Sequence, residues 1–240
     1  MIGIIAAMQK ELDLITEAMT DAVHESLGGV EFVTGKLSGY PAVCSVCGVG
    51  KVFAAMCAEA MIIRYSPELI VNTGVGGTLT SELSVGDVAV SSAVCQHDMD
   101  TTAIGDEPGL ISGINRVYFE ADVSAADAIE AIASELGIKT LRGTVASGDR
   151  FVASAAEMER ITSLFGAVSC EMEGGAVGHV CYVNGTPFAV IRAISDDADK
   201  GACEDYPAFA AESAKKSAAI VLKLAERLLK KAGSEPEGKI

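Results

Sequence analysis

The sequence predicts a single α/β domain in which a mixed, mostly parallel central sheet is flanked by helices. Apolar runs of strand length alternate with segments of helical periodicity, and glycine-containing turns join them. The chain has 240 residues, of which 50% are hydrophobic, enough for one full core. We detect no internal repeat and no linker, so residues 1–232 are expected to form the domain and residues 233–240 a polar, disordered tail.

The first two elements are a buried strand and an amphipathic helix. The apolar run at residues 2–7 has the length and composition of a strand that is buried on both faces. Leu12, Ile15 and Met19 then recur at helical spacing, so they share one face of a helix. The pattern therefore predicts a helix over residues 9–19.

The rest of the chain continues this alternation. Residues 31–37 and 41–46 flank a short turn and predict a hairpin. Residues 98–118 are polar and glycine-rich, which predicts a long loop. The further strands are predicted at residues 68–74, 86–94, 140–149 (including the start of a loop), 167–172 and 187–195. The further helices are predicted at residues 51–65, 125–136, 155–165, 173–182 and 208–231.

Charge and composition exclude several kinds of partner. The net charge of −15 argues against nucleic acid and against anionic membrane surfaces, because both require a basic face. No segment is apolar enough to span a membrane, and the N-terminal run lacks the basic start of a signal peptide. We therefore expect a cytoplasmic protein whose seven cysteines are reduced, including the Cys44 and Cys47 pair. His97 precedes two acidic residues, but a single loop histidine is expected to be solvated, so no metal site is predicted.

Carboxylates follow two of the predicted strands. Glu171 and Glu173 lie at the end of one strand, and Asp196 ends the last strand. A buried carboxylate costs free energy unless it is paired, hydrogen-bonded or protonated. Helix capping or surface exposure would account for any one of these residues. Their common position at the carboxyl ends of strands, where α/β sheets bind ligands, favours a functional site.

Seven short motifs, which occur in order along nearly the whole chain, extend this pattern. They are IGIIAAMQKEL (2–12), GVGKVFAA (48–55), NTGVGG (72–77), VGD (85–87), SGDRFV (147–152), CEMEGGAVGHV (170–180) and RAISDDAD (192–199). Each is weak alone, but together they are specific, and the chain resembles the 5′-methylthioadenosine/S-adenosylhomocysteine nucleosidases of the nucleoside phosphorylase superfamily. The resemblance implies that fold, no cofactor, and hydrolysis of the N-glycosidic bond to release adenine and a 5′-thio-substituted ribose.

The resemblance also implies which residues carry the reaction. Breaking the bond to adenine requires an acid for the leaving base and a group that activates water. Asp196 matches the family's general acid at adenine N7, and Glu11 matches its water-activating base. From the residues alone, Asp196 could instead be a helix N-cap, and Glu11 is better explained as a first-turn residue favoured by the helix dipole.

Other positions match the family's substrate contacts. Glu173 would accept hydrogen bonds from the ribose hydroxyls, with Met172 beneath the sugar. Phe151 would stack on adenine and the backbone of Val152 would pair with the edge of the base. Met172 and Phe151 could also be ordinary core residues.

The remaining contacts surround these groups. Arg192 and Ser195 would orient carboxylates, although Arg192 could instead be a structural ion-pair partner of Glu171. The glycine cluster would face the ribose through Gly77 and through Val75, which stands where the family commonly has a serine. The apolar pocket for the 5′-alkylthio group would be formed by Met8, Val49 and Tyr206.

The loop at residues 98–118 predicts a homodimer. Long loops in compact domains are usually functional, and this one carries the apolar residues Ile104, Leu110 and Ile111, which we expect to be exposed. By resemblance it completes the partner's 5′-pocket. Ile104 and Ser112 replace the family's more usual aromatic residue and proline, so the tolerated 5′-group is expected to differ.

Three alternatives remain open. A purine nucleoside phosphorylase needs cations to hold phosphate, but the relevant loops offer only Lys10, and Glu11 would repel the anion. A nucleoside-binding module without catalysis would be expected to lack Glu11 or Asp196, and both are present. A hydrolase of a futalosine-type nucleoside would use the same acid, base and ribose residues.

Overall fold

The computed structural model describes residues 1–197 and 202–234, with side chains for all of these except residues 196–197, 202–208 and 234. Within these residues it contains ten strands and six α-helices. The strands are β1 (Ile2–Ala6), β2 (Met19–Leu27), β3 (Val30–Leu37), β4 (Tyr40–Val46), β5 (Leu69–Thr78), β6 (Val88–Gln96), β7 (Phe119–Glu120), β8 (Thr140–Ser147), β9 (Ala167–Glu171) and β10 (Phe188–Asp197). The helices are α1 (Gln9–Glu17), α2 (Lys51–Tyr65), α3 (Val123–Glu135), α4 (Ala155–Phe165), α5 (Gly174–Asn184) and α6 (Ala202–Ser234).

One mixed sheet forms the centre of the molecule and confirms the predicted fold class. Parallel pairs run β4–β1–β5–β10 and β6–β8–β9, as expected where helices connect the strands. The hairpin strands β2, β3 and β4 pair antiparallel at one side. Antiparallel pairing of β10 with β6 and of β5 with β9 closes five strands into a ring. The carboxyl ends of β1, β5 and β10 therefore meet at one edge.

Helices cover both faces of this sheet because the central strands are apolar on both sides. In β1, Ile4 faces a core cluster that includes residues of α1, α3 and α6, whereas Ile5 faces a cluster with residues of α2 and α5. Successive strand residues point to opposite faces, so one strand contributes to both cores. α4 packs in a smaller third cluster, through Ile161 and Phe165, beside β9.

Several element boundaries differ from the sequence predictions. The predicted helix over residues 9–19 ends at Glu17, and Met19 begins β2, which was not predicted. β2 is a largely exposed edge strand, so it lacks the apolar pattern that marks a buried one. α6 begins at Ala202, before Pro207, and ends at Ser234, two residues into the predicted tail. Residues 235–240, the rest of that tail, lie outside the described residues.

β5 extends further than predicted, through the glycine cluster to Thr78. Its residues from Ile70 to Thr78 pair with β10, so the glycines are part of the sheet. Close packing explains why they are glycines. A Cβ added at Gly74 would lie 2.8 Å from Oε1 of Glu11, and one at Gly76 would lie 3.0 Å from the carbonyl oxygen of Cys170.

The loop at residues 98–118 contains more structure than predicted. A single 3₁₀ turn covers Thr102–Ile104, and Ile111 forms an isolated bridge with Arg116. Ile104 is exposed as expected, but Ile111 is buried in the core cluster beside α2 and α5, and Leu110 is half-buried. The expectation that all three are exposed was therefore wrong for Ile111, because the loop folds back onto its own domain.

Cysteines and His97 also take buried positions. All six cysteines whose side chains are described are buried. Burial raises the pKa of Cys44 to about 12 and also raises the pKa of Cys47, so both remain thiols. His97, expected to be solvated, is only 5% exposed, because it packs against the backbone at Gly148. The described residues contain no group of three or more metal-ligating side chains. None of the described helices has the length and apolarity required to cross a membrane.

Candidate active site

A cavity opens at the edge where β1, β5, β9 and β10 end. Ten of the thirteen residues predicted for the site line it. They are Met8, Glu11, Val49, Val75, Gly77, Phe151, Val152, Met172, Glu173 and Ser195. Chain segments that are far apart in the sequence therefore meet at one place, as the strand-end argument predicts.

Glu11 lies in the first turn of α1, with its carboxylate against the cavity. The side chain is 3% exposed. Its Oε2 accepts hydrogen bonds from the backbone N–H groups of Ala7 and Met8, at 3.1 and 2.9 Å, and its Oε1 accepts one from Val75 at 3.0 Å. Burial raises the pKa of Glu11, although the charge of Arg192 and these hydrogen bonds oppose the shift. The group is thus a fixed carboxylate that can take up a proton.

Arg192 lies beneath the cavity and is fully buried. Its guanidinium forms an ion pair with Glu171, with 3.1 Å between Nε and Oε2, and donates to the carbonyl oxygen of Asn72 at 3.1 Å. Glu171 Oε2 also accepts from the N–H groups of Glu173 and Gly174, at 3.0 and 2.7 Å. A buried charge is tolerated when it is paired and hydrogen-bonded, so this pair fixes the start of α5.

Glu173 is the N-cap of α5 and faces the cavity beside this pair. Its Oε1 accepts a hydrogen bond from the N–H of Gly50 at 2.9 Å, and its Oε2 lies 3.8 Å from Arg192 Nη2. Burial and the neighbouring charge of Glu171 raise the pKa of Glu173 to about 7. Carboxylate oxygens left on the cavity side can accept hydrogen bonds from hydroxyl groups.

Apolar residues form another part of the cavity lining, called here the apolar wall. Val152 is buried, whereas Phe151 is 43% exposed and Val49 is 50% exposed at the opening. Met8 and Met172 are partly buried and also line the cavity. Apolar side chains and fixed carboxylates in one cavity suit a ligand with one flat apolar part and one hydroxyl-rich part.

Two predicted catalytic or binding residues are only partly described. The backbone of Asp196 pairs with Gly77 after a register shift in β10, which places this position at the cavity beside Ser195. Tyr206 belongs to the first turns of α6. The side chains of Asp196 and Tyr206 lie outside the described residues, and their predicted roles stay predictions.

Four further lining residues, Ala7, Gly76, Arg150 and Cys170, were not singled out from the sequence. Arg150 is the only cation among the described residues that line the cavity. It is paired with Glu157 of α4, with 2.7 Å between Nε and Oε1, and its side chain is 71% exposed. Arg150 belongs to the SGDRFV motif, so its position near the site could have been predicted from the sequence. Its ion pair with Glu157 on the following helix could not.

Comparisons with known proteins find similar chains along nearly the whole sequence. A family model of the phosphorylase superfamily matches residues 1–226. A 5′-methylthioadenosine/S-adenosylhomocysteine nucleosidase of Shewanella sp. (strain W3-18-1) is 35% identical over 228 residues, which cover 95% of this chain and 99% of the relative. The crystal structure of the nucleosidase of that name from Neisseria meningitidis, in complex with methylthio-immucillin-A, has a TM-score of 0.90 and 32% identity. The match covers 94% of this chain and 98% of that one.

A solved structure named for a different substrate is equally similar. The native structure of futalosine hydrolase of Helicobacter pylori strain 26695 also has a TM-score of 0.90 and 32% identity, over 94% of this chain and 97% of that one. The overall fold therefore does not separate these two substrates. The chain belongs to the phosphorylase superfamily and, within it, to the family of 5′-methylthioadenosine/S-adenosylhomocysteine nucleosidases.

Proposed function

We propose that the protein hydrolyses the N-glycosidic bond of 5′-methylthioadenosine and S-adenosylhomocysteine, releasing adenine and the 5′-thio-substituted ribose. The observation that carries the proposal is the Glu11 carboxylate, which three backbone N–H groups hold at the wall of the cavity. A carboxylate with a raised pKa in this position is suited to take a proton from water. The names of the similar proteins support the substrate class.

The proposed reaction needs no group beyond the chain and water. Glu11 accepts a proton from a water molecule while the water oxygen bonds to C1′ of the ribose. The bond between C1′ and N9 breaks, and its electron pair goes to the adenine ring. Asp196 donates a proton to N7, so adenine leaves as a neutral molecule. The backbone position of Asp196, beside Gly77 and Ser195, supports this assignment.

The remaining cavity residues are proposed to hold the substrate. Glu173 accepts hydrogen bonds from the ribose hydroxyls, and Met172 packs beneath the sugar. Phe151 and Val152 contact the adenine ring. Met8, Val49 and Tyr206 form the pocket for the 5′-group, and the exposure of Val49 supports a pocket that is open at its outer end.

Hydrolysis is favoured over phosphorolysis by the charges around the cavity. Phosphorolysis requires cations that are available to a phosphate dianion. Arg192 is buried in its ion pair with Glu171, and Lys10 does not line the cavity. Among the described lining residues, the exposed Arg150 is one cation beside three glutamates. Glu11 and Glu173 would repel phosphate. Hydrolysis of a futalosine-type nucleoside is the second candidate, because a structure of that name is as similar as the nucleosidases.

A homodimer is part of this proposal. α2 and α5 expose apolar side chains on one surface, including Val52 (70%), Phe53 (56%) and Val183 (63%), and Ile104 in the 98–118 loop is 81% exposed. Contiguous exposed apolar side chains mark interaction surfaces. We propose that a second copy covers this surface and that its loop reaches the open rim of the cavity. Cytoplasmic location and a role in methionine salvage are proposed with the substrate.

Adenine release from a panel of nucleosides tests the function. The panel contains methylthioadenosine, adenosylhomocysteine, aminofutalosine and adenosine, each assayed with and without phosphate. We expect adenine and free sugar from the two thio-nucleosides at rates that do not depend on phosphate. Formation of a sugar 1-phosphate would favour the phosphorylase, and a preference for aminofutalosine would favour the second candidate. Light scattering of the active enzyme tests the dimer, and a fully active monomer at micromolar concentration would refute it.

A further inference from the structure

The loop of residues 147–152, called here the base-side loop, is fastened to the end of β6. The N–H of His97 donates to the carbonyl oxygen of Ser147 at 2.9 Å, and the N–H of Asp149 donates to Asp98 Oδ2 at 2.8 Å. Between these bonds, the His97 ring packs so closely that a Cβ added at Gly148 would lie 2.4 Å from Nε2. The loop that carries Phe151 and Val152 is thus held on both sides of Gly148.

The same Asp98 carboxylate reaches the first residue of α2. Its Oδ1 accepts a hydrogen bond from Lys51 Nζ at 2.6 Å, and this ammonium also donates to Gln96 Oε1 at 3.2 Å. The backbone N–H of Lys51 donates to Asp149 Oδ1 at 2.7 Å. Lys51, Asp98 and Asp149 therefore contact one another pairwise and form a triangle. The residue before Lys51 is Gly50, whose N–H binds Glu173.

This triangle differs from an ordinary surface ion pair. Exposed pairs contribute about 0–1 kcal/mol because water screens the charges. Here the side chains of Lys51 and Asp98 are 17% and 29% exposed, and the two oxygens of Asp98 bind partners on two separate elements. Neither Lys51 nor Asp98 is among the described residues that line the cavity. Their contacts instead join two parts of the site. One is the base-side loop, which carries Phe151, and the other is the start of α2, where the N–H of Gly50 binds Glu173.

We infer that Asp98 and Lys51 are positioning residues, which fix the base-side loop at the spacing from Glu173 that an adenine nucleoside requires. The inference rests on the proposed function, because that function assigns the base to one side and the ribose to the other. Phe151 and Val152 are proposed to hold the base without taking part in proton transfer, so their contacts should contribute equally in the ground state and in the transition state. Loosening them raises KM and weakens adenine binding while kcat changes little.

Asp98→Asn tests the inference with minimal change of shape. The neutral amide presents an NH₂ group to one of the two donors, Lys51 Nζ or the N–H of Asp149, and removes the charge. We expect about a tenfold rise in KM for methylthioadenosine and in Kd for adenine, with kcat within about threefold of the wild type. Amide hydrogen exchange at Asp149 should become faster, because its acceptor is weakened.

Matched variants separate positioning from general damage. Lys51→Met should have the same effects, whereas Lys51→Arg keeps the charge and should restore most of the adenine affinity. Asp21→Asn removes an exposed carboxylate that pairs with Lys36 at 2.9 Å on the edge strand β2, none of whose residues lines the cavity, and should change none of these quantities. If Asp98→Asn does not fold, the comparison of Lys51→Met with Lys51→Arg decides the question.

Two results would overturn the inference. One is adenine affinity and Asp149 exchange that stay within twofold of the wild type in both Asp98→Asn and Lys51→Met. The other is a fall in kcat at constant KM. A wild-type protein that neither releases nor binds adenine would refute the proposed function instead, and the exchange rate of Asp149 would still report whether Asp98 holds the loop.

Discussion

The floor of the cavity and its rim are built from opposite kinds of residue. The floor, formed by Glu11, Glu171, Glu173 and Arg192, consists of charged groups that are at most 8% exposed and held by hydrogen bonds. The rim, formed by Val49 and Phe151, consists of apolar side chains that are about half exposed. Under the proposed function, one chain would fix the reacting groups alone, whereas closure around the 5′-group would use the proposed second subunit.

The largest expected effect comes from removing the charge of Glu11. Glu11→Gln keeps the size of the side chain but cannot take a proton from water, so turnover should fall about 10²-fold or more. The amide oxygen can still accept from Ala7 and Met8, while its NH₂ group then faces the N–H of Val75. The fold should therefore persist with a modest loss of stability. Asp13→Asn is a suitable control, since Asp13 lies on the same helix and contacts the exposed Gln9. Turnover by Glu11→Gln close to that of the control would remove Glu11 from the proposed mechanism.

Removing Arg192 should test whether the floor is a unit. Arg192→Met leaves Glu171 buried without its cation, and the loss of one partner of a buried pair costs about 3–5 kcal/mol. The double variant Arg192→Met/Glu171→Gln should recover part of that loss, because the uncompensated charge is gone. Urea unfolding of the three proteins measures the effect. Equal stability of the single variant and the wild type would show that the pair is not needed for the fold.

The residues of the floor show which features of the site could be predicted from the sequence. Glu171 and Glu173 were identified because a carboxylate beside a buried strand is unusual. The hydrogen bond from Val75 to Glu11 joins residues 64 positions apart, and the contact of Arg192 with Asn72 joins residues 120 positions apart. No local sequence pattern connects residues that are so far apart. The residue types at the site could therefore be predicted, but these hydrogen-bond partners could not.

The same limit explains the errors in the fold. Strand β2 was missed because it is a polar edge strand, and edges need no apolar periodicity. The burial of Ile111 and His97 depends on where a loop folds back, which periodicity does not encode. Elements with two buried faces, such as β1 and the paired part of β10, were predicted well because their apolar runs are continuous.

A pH series tests the electrostatics of the floor. The pKa of Glu173 is about 7 in the folded protein and near the ordinary 4.5 when unfolded. The folded state therefore keeps a proton that the unfolded state has lost, so the contribution of Glu173 to stability falls as pH rises from about 4.5 to about 7. The unfolding free energy of the wild type minus that of Glu173→Gln should decrease as pH rises through this window and level off above it. A difference that is constant with pH would contradict the raised pKa.

Substitution on the apolar wall should have a smaller effect, confined to binding. Phe151→Ala removes a ring that is 43% exposed, so the free energy of unfolding should change little. Stacking of an aromatic ring on a base contributes about 1–3 kcal/mol, so KM for methylthioadenosine should rise about tenfold with kcat nearly unchanged. Leu164→Ala on α4, 46% exposed, is a control of similar exposure. An unchanged KM would show that the base lies elsewhere.

The smallest expected effect concerns the second subunit that we propose at the rim. Ile104 is 81% exposed within its own chain, so Ile104→Ser should leave the stability of the isolated fold unchanged. If the partner's Ile104 covers the 5′-group in a dimer, the substitution removes a few apolar carbons at about 0.8 kcal/mol each, and kcat/KM for methylthioadenosine should fall about three- to tenfold. Adenosine, with a bare 5′-hydroxyl, should be the poorer wild-type substrate, and its kcat/KM should fall less in Ile104→Ser.

Val23→Ser, at an exposed position of β2, controls for the loss of a surface apolar side chain. The ratio of kcat/KM for the two nucleosides is the decisive quantity, because it cancels any common change in enzyme concentration. A ratio that Ile104→Ser leaves unchanged would mean that the rim is closed by residues of its own chain, and the comparison between floor and rim would then describe two parts of a self-sufficient site.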